Sequence, residues 1–291
     1  MKPIFLLVSL FCYLGLQAQT KSQDFDLRIH YTIHSDSTCN RIRLKIVLPQ
    51  SVSGFQHIED IEFNIEPDFI YFSETDKYAL YDFTPSPSRQ QLVIRIKGTV
   101  YAHDYATCRK QPTAHDEDLS AWLKAENYID SDSPWIRAIA AELKGDTEAE
   151  TIKNIFYYTQ KNFTYTPRDY SIGALGMLSL KRGDCTEYTD LFVALCRASG
   201  IPARHTYGVS VQTNNKKGAA HSWGEVYMKD CGWVAFDPTP GNRANFTTLN
   251  DMYIQFSQIR NSTELGGKGL FSFWEYWGQS PTINTDYLIR R

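Results

Sequence analysis

Arg182-Gly183-Asp184-Cys185-Thr186-Glu187-Tyr188 is the stretch that decides how this chain is read. Asp184 stands where a helix N-cap belongs and Glu187 follows three residues on, the pattern of a capping box, so the spacing predicts a helix whose first residue is Cys185. Unpaired amides and the positive end of the macrodipole at such a tip favour thiolate over thiol. Tyr188, Leu191, Phe192, Leu195 and Ala198 recur at helical spacing and mark a buried stripe, and Gly200 followed by Pro202 stops the helix. A buried helix with a thiol at its end is a pre-aimed nucleophile. A structural cysteine is the competing reading, because free cysteines are commonly buried.

Two downstream segments add the partners that such a thiol needs. His221-Ser222-Trp223-Gly224-Glu225-Val226-Tyr227-Met228 and Gly232-Trp233-Val234-Ala235-Phe236-Asp237 are rich in aromatic and β-branched residues and read as strands joined around Lys229-Asp230-Cys231. With those three residues as the connection, Met228 pairs with Gly232 and Asp237 with Trp223. His221 and Asp237 then share one face as diagonal neighbours, about 7–8 Å apart between backbones. A two-residue connection would put them on opposite faces. Cys185, His221 and Asp237 are therefore the candidate catalytic residues, a thiol, an imidazole and an orienting carboxylate. The bland alternative for the pair is a structural histidine beside a turn, since Asp237-Pro238 also has turn chemistry.

Four blocks carry a family resemblance: Arg182 to Tyr188, Leu195-Cys196-Arg197-Ala198-Ser199-Gly200-Ile201-Pro202-Ala203-Arg204, His221 to Tyr227, and Gly232 to Thr239. In this order they resemble the bacterial transglutaminase-like superfamily over about residues 118–245. The resemblance implies an α+β fold: a papain-like core with a helix-borne cysteine packed on an antiparallel sheet. It also implies Cys185 as nucleophile, His221 as general base and acid, and Asp237 as orienting carboxylate. It does not transfer a reaction, since the superfamily includes crosslinking acyltransferases, deamidases, peptidases and glycanase-like amidases, and some members have lost catalysis. The common step is acyl transfer through a thioester, resolved by water or by an amine. The first expectation is an amidase or peptidase acting on peptide, protein or cell-wall amides. A protein-crosslinking transglutaminase and a non-catalytic envelope binding protein are the alternatives. An oxyanion hole is needed as well, with the Cys185 amide as one donor and the second unassigned. Tyr165 resembles the family's aromatic position before the nucleophile, and packing alone explains it equally.

Lys2 followed by Ile4-Phe5-Leu6-Leu7-Val8-Ser9-Leu10-Phe11 through Leu16 reads as a secretory signal over residues 1–18, cleaved near Ala18-Gln19. The run is too short to span a bilayer comfortably. The expected location is therefore exported, periplasmic or extracellular, with no stable membrane insertion once the signal is removed. Six cysteines become five without Cys12, an odd number that leaves one reactive thiol. Cys39 with Cys108, and Cys196 with Cys231, are the expected pairs. Burial without a bond is the alternative for Cys196.

Phe25, Leu27, Ile29, Tyr31 and Ile33 alternate with polar residues, as do Ile42, Leu44, Ile46 and Leu48, and Leu92, Ile94 and Ile96. Residues 19–112 accordingly read as a β-sandwich-like N-terminal domain preceding the core. Lead-in helices are expected around 119–124 and 134–140, and Thr147 with Glu150 caps a third. The tail, 246–291, is expected to pack on the core, its rings at Phe271, Phe273, Trp274, Tyr276 and Trp277 covering apolar surface. The chain has 291 residues and a net charge of −3, which gives room for two modest domains and argues against a nucleic-acid partner. His30 and His34 lie on a polar strand face without a third ligand, and no acidic run has calcium-loop spacing, so neither a cofactor nor a metal is expected.

Overall fold

The computed structural model describes residues 22–85, 89–108, 118–212, 216–241, 244–249, 251–267 and 271–290; the expected signal, residues 1–18, lies outside them. Six strands come first: β1 (Ser22–His34), β2 (Arg41–Leu48), β3 (Gln56–Phe63), β4 (Phe69–Ser73), β5 (Asp76–Phe83) and β6 (Arg89–Tyr101). A 3-10 turn (Leu119–Leu123), α1 (Pro134–Glu142) and α2 (Glu148–Lys161) lead to β7 (Thr164–Tyr165), α3 (Gly173–Leu180) and β8 (Arg182–Gly183). Then follow α4 (Cys185–Ala198), β9 (Ala203–Val211), β10 (Lys217–Met228), β11 (Gly232–Phe236), β12 (Met252–Ser257), β13 (Ser272–Trp277) and β14 (Thr282–Arg290). This is a sheet-dominated α+β fold, with a papain-like core preceded by a β-rich region.

Alternation builds the N-terminal strands. Phe25, Leu27, Ile29, Tyr31 and Ile33 are all buried, while Asp26, Arg28 and His30 are half-buried on the other face. There Arg95 of the neighbouring β6 holds Asp26 in two hydrogen bonds of 2.9 and 2.7 Å. The two sheets, β13-β2-β5-β4 and the β14-β1-β6-β3 part of the larger one, enclose one apolar cluster.

The larger sheet does not stop at the sandwich. Its order is β12-β9-β10-β14-β1-β6-β3, with β11 also on β10. The join is short, Lys217 and Gly218 of β10 pairing with Leu288 and Tyr287 of β14. Val209, Val211, Ile254 and Phe256 from the core strands bury themselves in the sandwich cluster. The tail is divided between the two clusters: Phe246 packs in the cluster around α4, β12 lies beside β9 and the end of β14 touches β10, whereas β13 pairs with β2 and β14 runs along β1 in a register from Asp26↔Arg290 to His34↔Thr282. Its rings divide accordingly. Phe271, Phe273 and Trp274 pack against the sandwich cluster, whereas Tyr276 and Trp277 are exposed.

The second cluster surrounds α4. From Glu187 to Arg197 every residue of this helix is buried, so the expected stripe widens into burial on all sides. Phe192 takes the space that a side chain at Gly224 of β10 would need: a Cβ there would lie 2.6 Å from its ring. Gly200 follows the helix with φ +77°, the left-handed conformation that lets the chain turn back into β9. At α2 the predicted Thr147 cap is present, accepting from Glu150 N at 3.1 Å, while the Glu150 carboxylate reaches Asp146 N at 3.0 Å.

Candidate active site

The capping box at the head of α4 is fully formed and does more than cap. Asp184 Oδ1 accepts from Thr186 N at 2.9 Å and Glu187 Oε2 accepts from Asp184 N at 3.1 Å. The two remaining oxygens tie down the 166–172 segment: Asp184 Oδ2 accepts from Arg168 N at 3.2 Å and Glu187 Oε1 from Ile172 N at 3.1 Å. Both carboxylates thus fix the backbone around Cys185. Burial pushes the Glu187 carboxyl up to about 7 despite the two amides that favour its charge. A side chain on Gly183 would collide with Glu187, its Cβ 2.6 Å from Glu187 Cβ, which explains the glycine two residues before the thiol.

The ladder between β10 and β11 has the register that a three-residue connection dictates. Met228 pairs with Gly232 and Gly224 with Phe236, so the next step along it sets Asp237 beside Trp223 and on the face of His221. The side chains meet: His221 Nε2 lies 2.7 Å from Asp237 Oδ2. The Cys185 thiol stands beside the same ring, close enough to act on its charge. With Nε2 given to the carboxylate, Nδ1 is the nitrogen left for the sulfur. Cys185, His221 and Asp237 are therefore brought together as one constellation, with Cys185 partly exposed at the helix tip.

Electrostatics favour an ion pair here. Burial opposes charge on His221, but the Asp237 carboxylate, its hydrogen bond and the adjacent Cys185 outweigh it and hold the imidazolium well above its ordinary value. Asp237 shows the mirror case. Its side chain is wholly buried, yet the His221 charge and three hydrogen bonds keep its carboxyl below the usual range. Besides His221, these come from Tyr253 Oη to Oδ2 at 2.7 Å and from Thr239 N to Oδ1 at 3.0 Å. Tyr253 stands edge-on to Trp223 at 5.1 Å between centroids and tilts over the His221 ring at 5.9 Å. Sequence reasoning missed it, because a tyrosine in an alternating tail segment gives no sign of which carboxylate it will reach.

Tyr165 sits at the mouth. It pairs with Gly183 across the short β7–β8 ladder, tilts against Tyr188 with centroids 6.3 Å apart and is 44% exposed. Burial of its inner part raises its phenol to about 12, and the neighbouring Cys185 and Asp184 add to the shift. Packing and proximity to the sulfur are thus both properties of this residue.

A second buried polar cluster underpins the helix. Asp190 of α4 receives Arg260 Nε at 2.7 Å and Arg260 Nη2 at 2.9 Å, and His205 Nδ1 of β9 lies 2.8 Å from its Oδ1. All three side chains are inaccessible to solvent. The Arg260 guanidinium also lies 4.2 Å from the centre of the Tyr128 ring. None of these residues stood out in the sequence, since their meeting joins a helix, a strand and the segment after β12.

The cysteine pairing differs from expectation. Cys108 is bonded to Cys231 in the β10–β11 connection, with Cα atoms 5.4 Å apart, while Cys39 and Cys196 are free and buried. Cys196 faces the interior of α4's own cluster, where burial raises its thiol far above the ordinary range. No helix among the described residues is long and apolar enough to cross a membrane.

Known proteins resemble this chain over stretches of different length. Residues 137–238 match the sequence model of the transglutaminase-like superfamily. The uncharacterised protein YebA of Bacillus subtilis (strain 168) is 37% identical over 109 residues, 33% of this chain and 15% of that one, so the chain spans only a small part of that relative. An uncharacterised protein of Haemophilus influenzae is 23% identical over 263 residues, covering 76% of this chain and 68% of its own. A crystal structure from Cytophaga hutchinsonii, described as that of a candidate cysteine protease, shares the fold with a TM-score of 0.64 at 16% identity, covering 93% of this chain and 99% of that one. The segment from 137 to 238 therefore belongs to the transglutaminase-like superfamily.

Proposed function

We propose that the protein is an exported cysteine-dependent acyl-transfer enzyme that hydrolyses peptide, protein or cell-wall amide bonds through a thioester on Cys185. The observation that carries this reading is the set at the head of α4: Cys185 at the helix tip with its thiol beside the His221 ring, and that ring held by Asp237 at 2.7 Å. The sulfur attacks the amide carbonyl carbon, the carbon–nitrogen bond breaks, and His221 gives its proton to the departing amine. Water, giving its proton to His221, then cleaves the thioester to a carboxylate and restores the thiol pair. Asp237 keeps the ring in the tautomer and orientation that both steps need. The Cys185 amide, at a helix N-terminus with no preceding turn to receive it, is one donor for the oxyanion.

Hydrolysis rather than crosslinking is favoured by the open mouth. Tyr165 is half exposed, and Tyr170, in the segment bolted to the helix cap, is 68% exposed, so water reaches the region around the sulfur. A crosslinking enzyme needs the thioester shielded from water. Export is supported by the Cys108–Cys231 bond, since such bonds persist in oxidising compartments.

Mass spectrometry of the protein after exposure to an amide peptide library tests the proposal. A thioester adduct on Cys185, absent in Cys185→Ala, is the expected result. An acyl adduct on another residue, or release of product at equal rates by wild type and Cys185→Ala, would overturn it. Added labelled amine separates the two reactions: incorporation that outpaces hydrolysis would make the protein a crosslinking enzyme instead.

A further inference from the structure

The segment tied to the cap of α4 carries a guanidinium that the triad does not use. Arg168 is half-buried, and its backbone N–H donates at 3.2 Å to Asp184 Oδ2, on the residue just before Cys185. Arg168 Nη1 donates to the Tyr170 hydroxyl at 3.3 Å, and the guanidinium carbon lies 5.7 Å from the centre of that ring. Nε is closed off from solvent with no acceptor among the described residues, whereas Nη2 is open and makes no hydrogen bond. An arginine fixed in this way without a carboxylate is one half of an ion pair.

The charge around it has the same sign. Residues 161–188 carry Lys161, Arg168, Lys181 and Arg182 against Asp169, Asp184 and Glu187, in a chain whose net charge is −3. Asp184 and Glu187 commit all four oxygens to backbone amides, which leaves the exposed Asp169 as the one acid of this stretch not so engaged. Lys181 and Arg182 are exposed, and in the β7–β8 ladder Arg182 stands beside Thr164 as Gly183 stands beside Tyr165. Tyr165 is close enough to Cys185 for the sulfur's charge to act on its phenol. Cationic side chains therefore lie on both of the segments that lead to the thiol.

We propose that Arg168 Nη2 and the Tyr170 hydroxyl form a carboxylate-binding subsite at the mouth beside Cys185, so that the protein selects peptides with an acidic residue next to the amide it opens. The donors set the chemistry. The Tyr170 oxygen accepts from Nη1, so its own O–H remains to be given, and with Nη2 it offers two donors to the two oxygens of a carboxylate. A carboxamide in the same place returns one acceptor oxygen and turns its NH₂ against the other donor. Gln and Asn analogues are thus refused on hydrogen bonding as well as on charge. The frame is pre-organised, because Asp184 and Glu187 fix the backbone at 168 and 172, and little ordering entropy is lost when the ligand seats. The subsite deepens the proposed hydrolysis by naming its substrate class, acidic peptides, and rests on that reading for the step in which the amide is cleaved.

Binding to Cys185→Ala, which cannot form the thioester, tests the subsite apart from catalysis. The probes are short amidated Ala-Gly peptides bearing one Glu at successive positions, each compared with its Gln twin by isothermal titration calorimetry at neutral pH. At one position at least, Glu is expected to bind about tenfold tighter than Gln, the lower end for a charge-assisted hydrogen bond. Arg168→Gln in that background should abolish the preference, and Arg168→Lys, which keeps the charge without the fork, should retain about threefold. Where Arg168→Gln fails to fold, salt reads the same pair: raising NaCl from about 0.05 to about 0.5 M should weaken binding of the Glu peptide and leave its Gln twin unmoved. Equal affinity of the twins at every position, no detectable binding of any Glu peptide, or a preference that survives Arg168→Gln would overturn the subsite. A Glu preference with no thioester on the wild type would leave the subsite standing and sink the hydrolase reading instead.

Discussion

Removing one oxygen, in Tyr253→Phe, isolates the bond that secures the buried carboxylate. The Tyr253 hydroxyl donates to Asp237 Oδ2 at 2.7 Å, with tyrosine and aspartate both buried. A hydrogen bond to a charged acceptor contributes about 1.5–3 kcal/mol, and burial at this distance places the loss near 2 kcal/mol. The ring itself stays, so the contacts with Trp223 and His221 are kept and no large cavity opens. A loss of about 2 kcal/mol is about a 30-fold fall in the folding constant, or a shift of roughly 0.7 M in the urea midpoint at m about 3 kcal/mol/M.

The sign with pH is fixed by Asp237, whose carboxyl is depressed in the folded protein. Its stabilisation is present above the ordinary carboxylate value of 3.8 and is lost as pH falls through the depressed one. The Tyr253→Phe defect should therefore hold from pH 8 down to about 5 and shrink only at the acid end. Urea unfolding of wild type, Tyr253→Phe, Asp237→Asn and the double variant measures the coupling directly. A coupling within about 0.5 kcal/mol of zero would show that the hydroxyl does not support the carboxylate and would refute the reasoning.

Alkylation of Cys185 by iodoacetamide should slow at least tenfold in His221→Ala, because the ring that takes the thiol proton is gone; equal rates would break the pairing. Amide hydrolysis needs the protonated ring for the departing amine, so its pH–rate scan should fall only as pH rises through the raised His221 value, placing the alkaline limb above the ordinary histidine range. Reduction of Cys108–Cys231, or Cys108→Ser, should cost about 2–4 kcal/mol, read as a lowered urea midpoint without change at Cys185. Gly224→Ala drives a methyl into the Phe192 ring at 2.6 Å and should cost about 1–3 kcal/mol by calorimetry, whereas Gly241→Ala, where a Cβ meets nothing within 4 Å, bears only the strain of its φ of +86°.

What could be read in the sequence was whatever is settled within a few residues. Asp184 and Glu187 form their box because N-cap and N3 are always neighbours in a helix, and the His221–Asp237 face follows from counting three residues between Met228 and Gly232. The α3 helix escaped notice because Gly173-Ala174-Leu175-Gly176-Met177-Leu178 is apolar throughout and interrupted by a glycine, so it shows no helical period. The cysteines were paired by proximity along the chain, but the bond was decided by the fold that brings the segment after β6 to the β10–β11 connection.

The tail shows why local pattern is insufficient in principle. Residues from Thr282 to Arg290 alternate as a strand would, but alternation names no partner, and β14 pairs with β1 at the opposite end of the sequence while touching β10 at its last turn. That placement makes the sandwich and the core one continuous sheet, so the strand that supplies Tyr253 is anchored on one side by β9 and, through Gln255 and Gln56, by the N-terminal strands. Orientation of Asp237 therefore depends on residues that no reading confined to 118–245 would include. It follows that a fragment covering only the superfamily match should lose the ordered triad even where Cys185, His221 and Asp237 are all present, because the hydroxyl of Tyr253 and the strand that holds it lie outside the match.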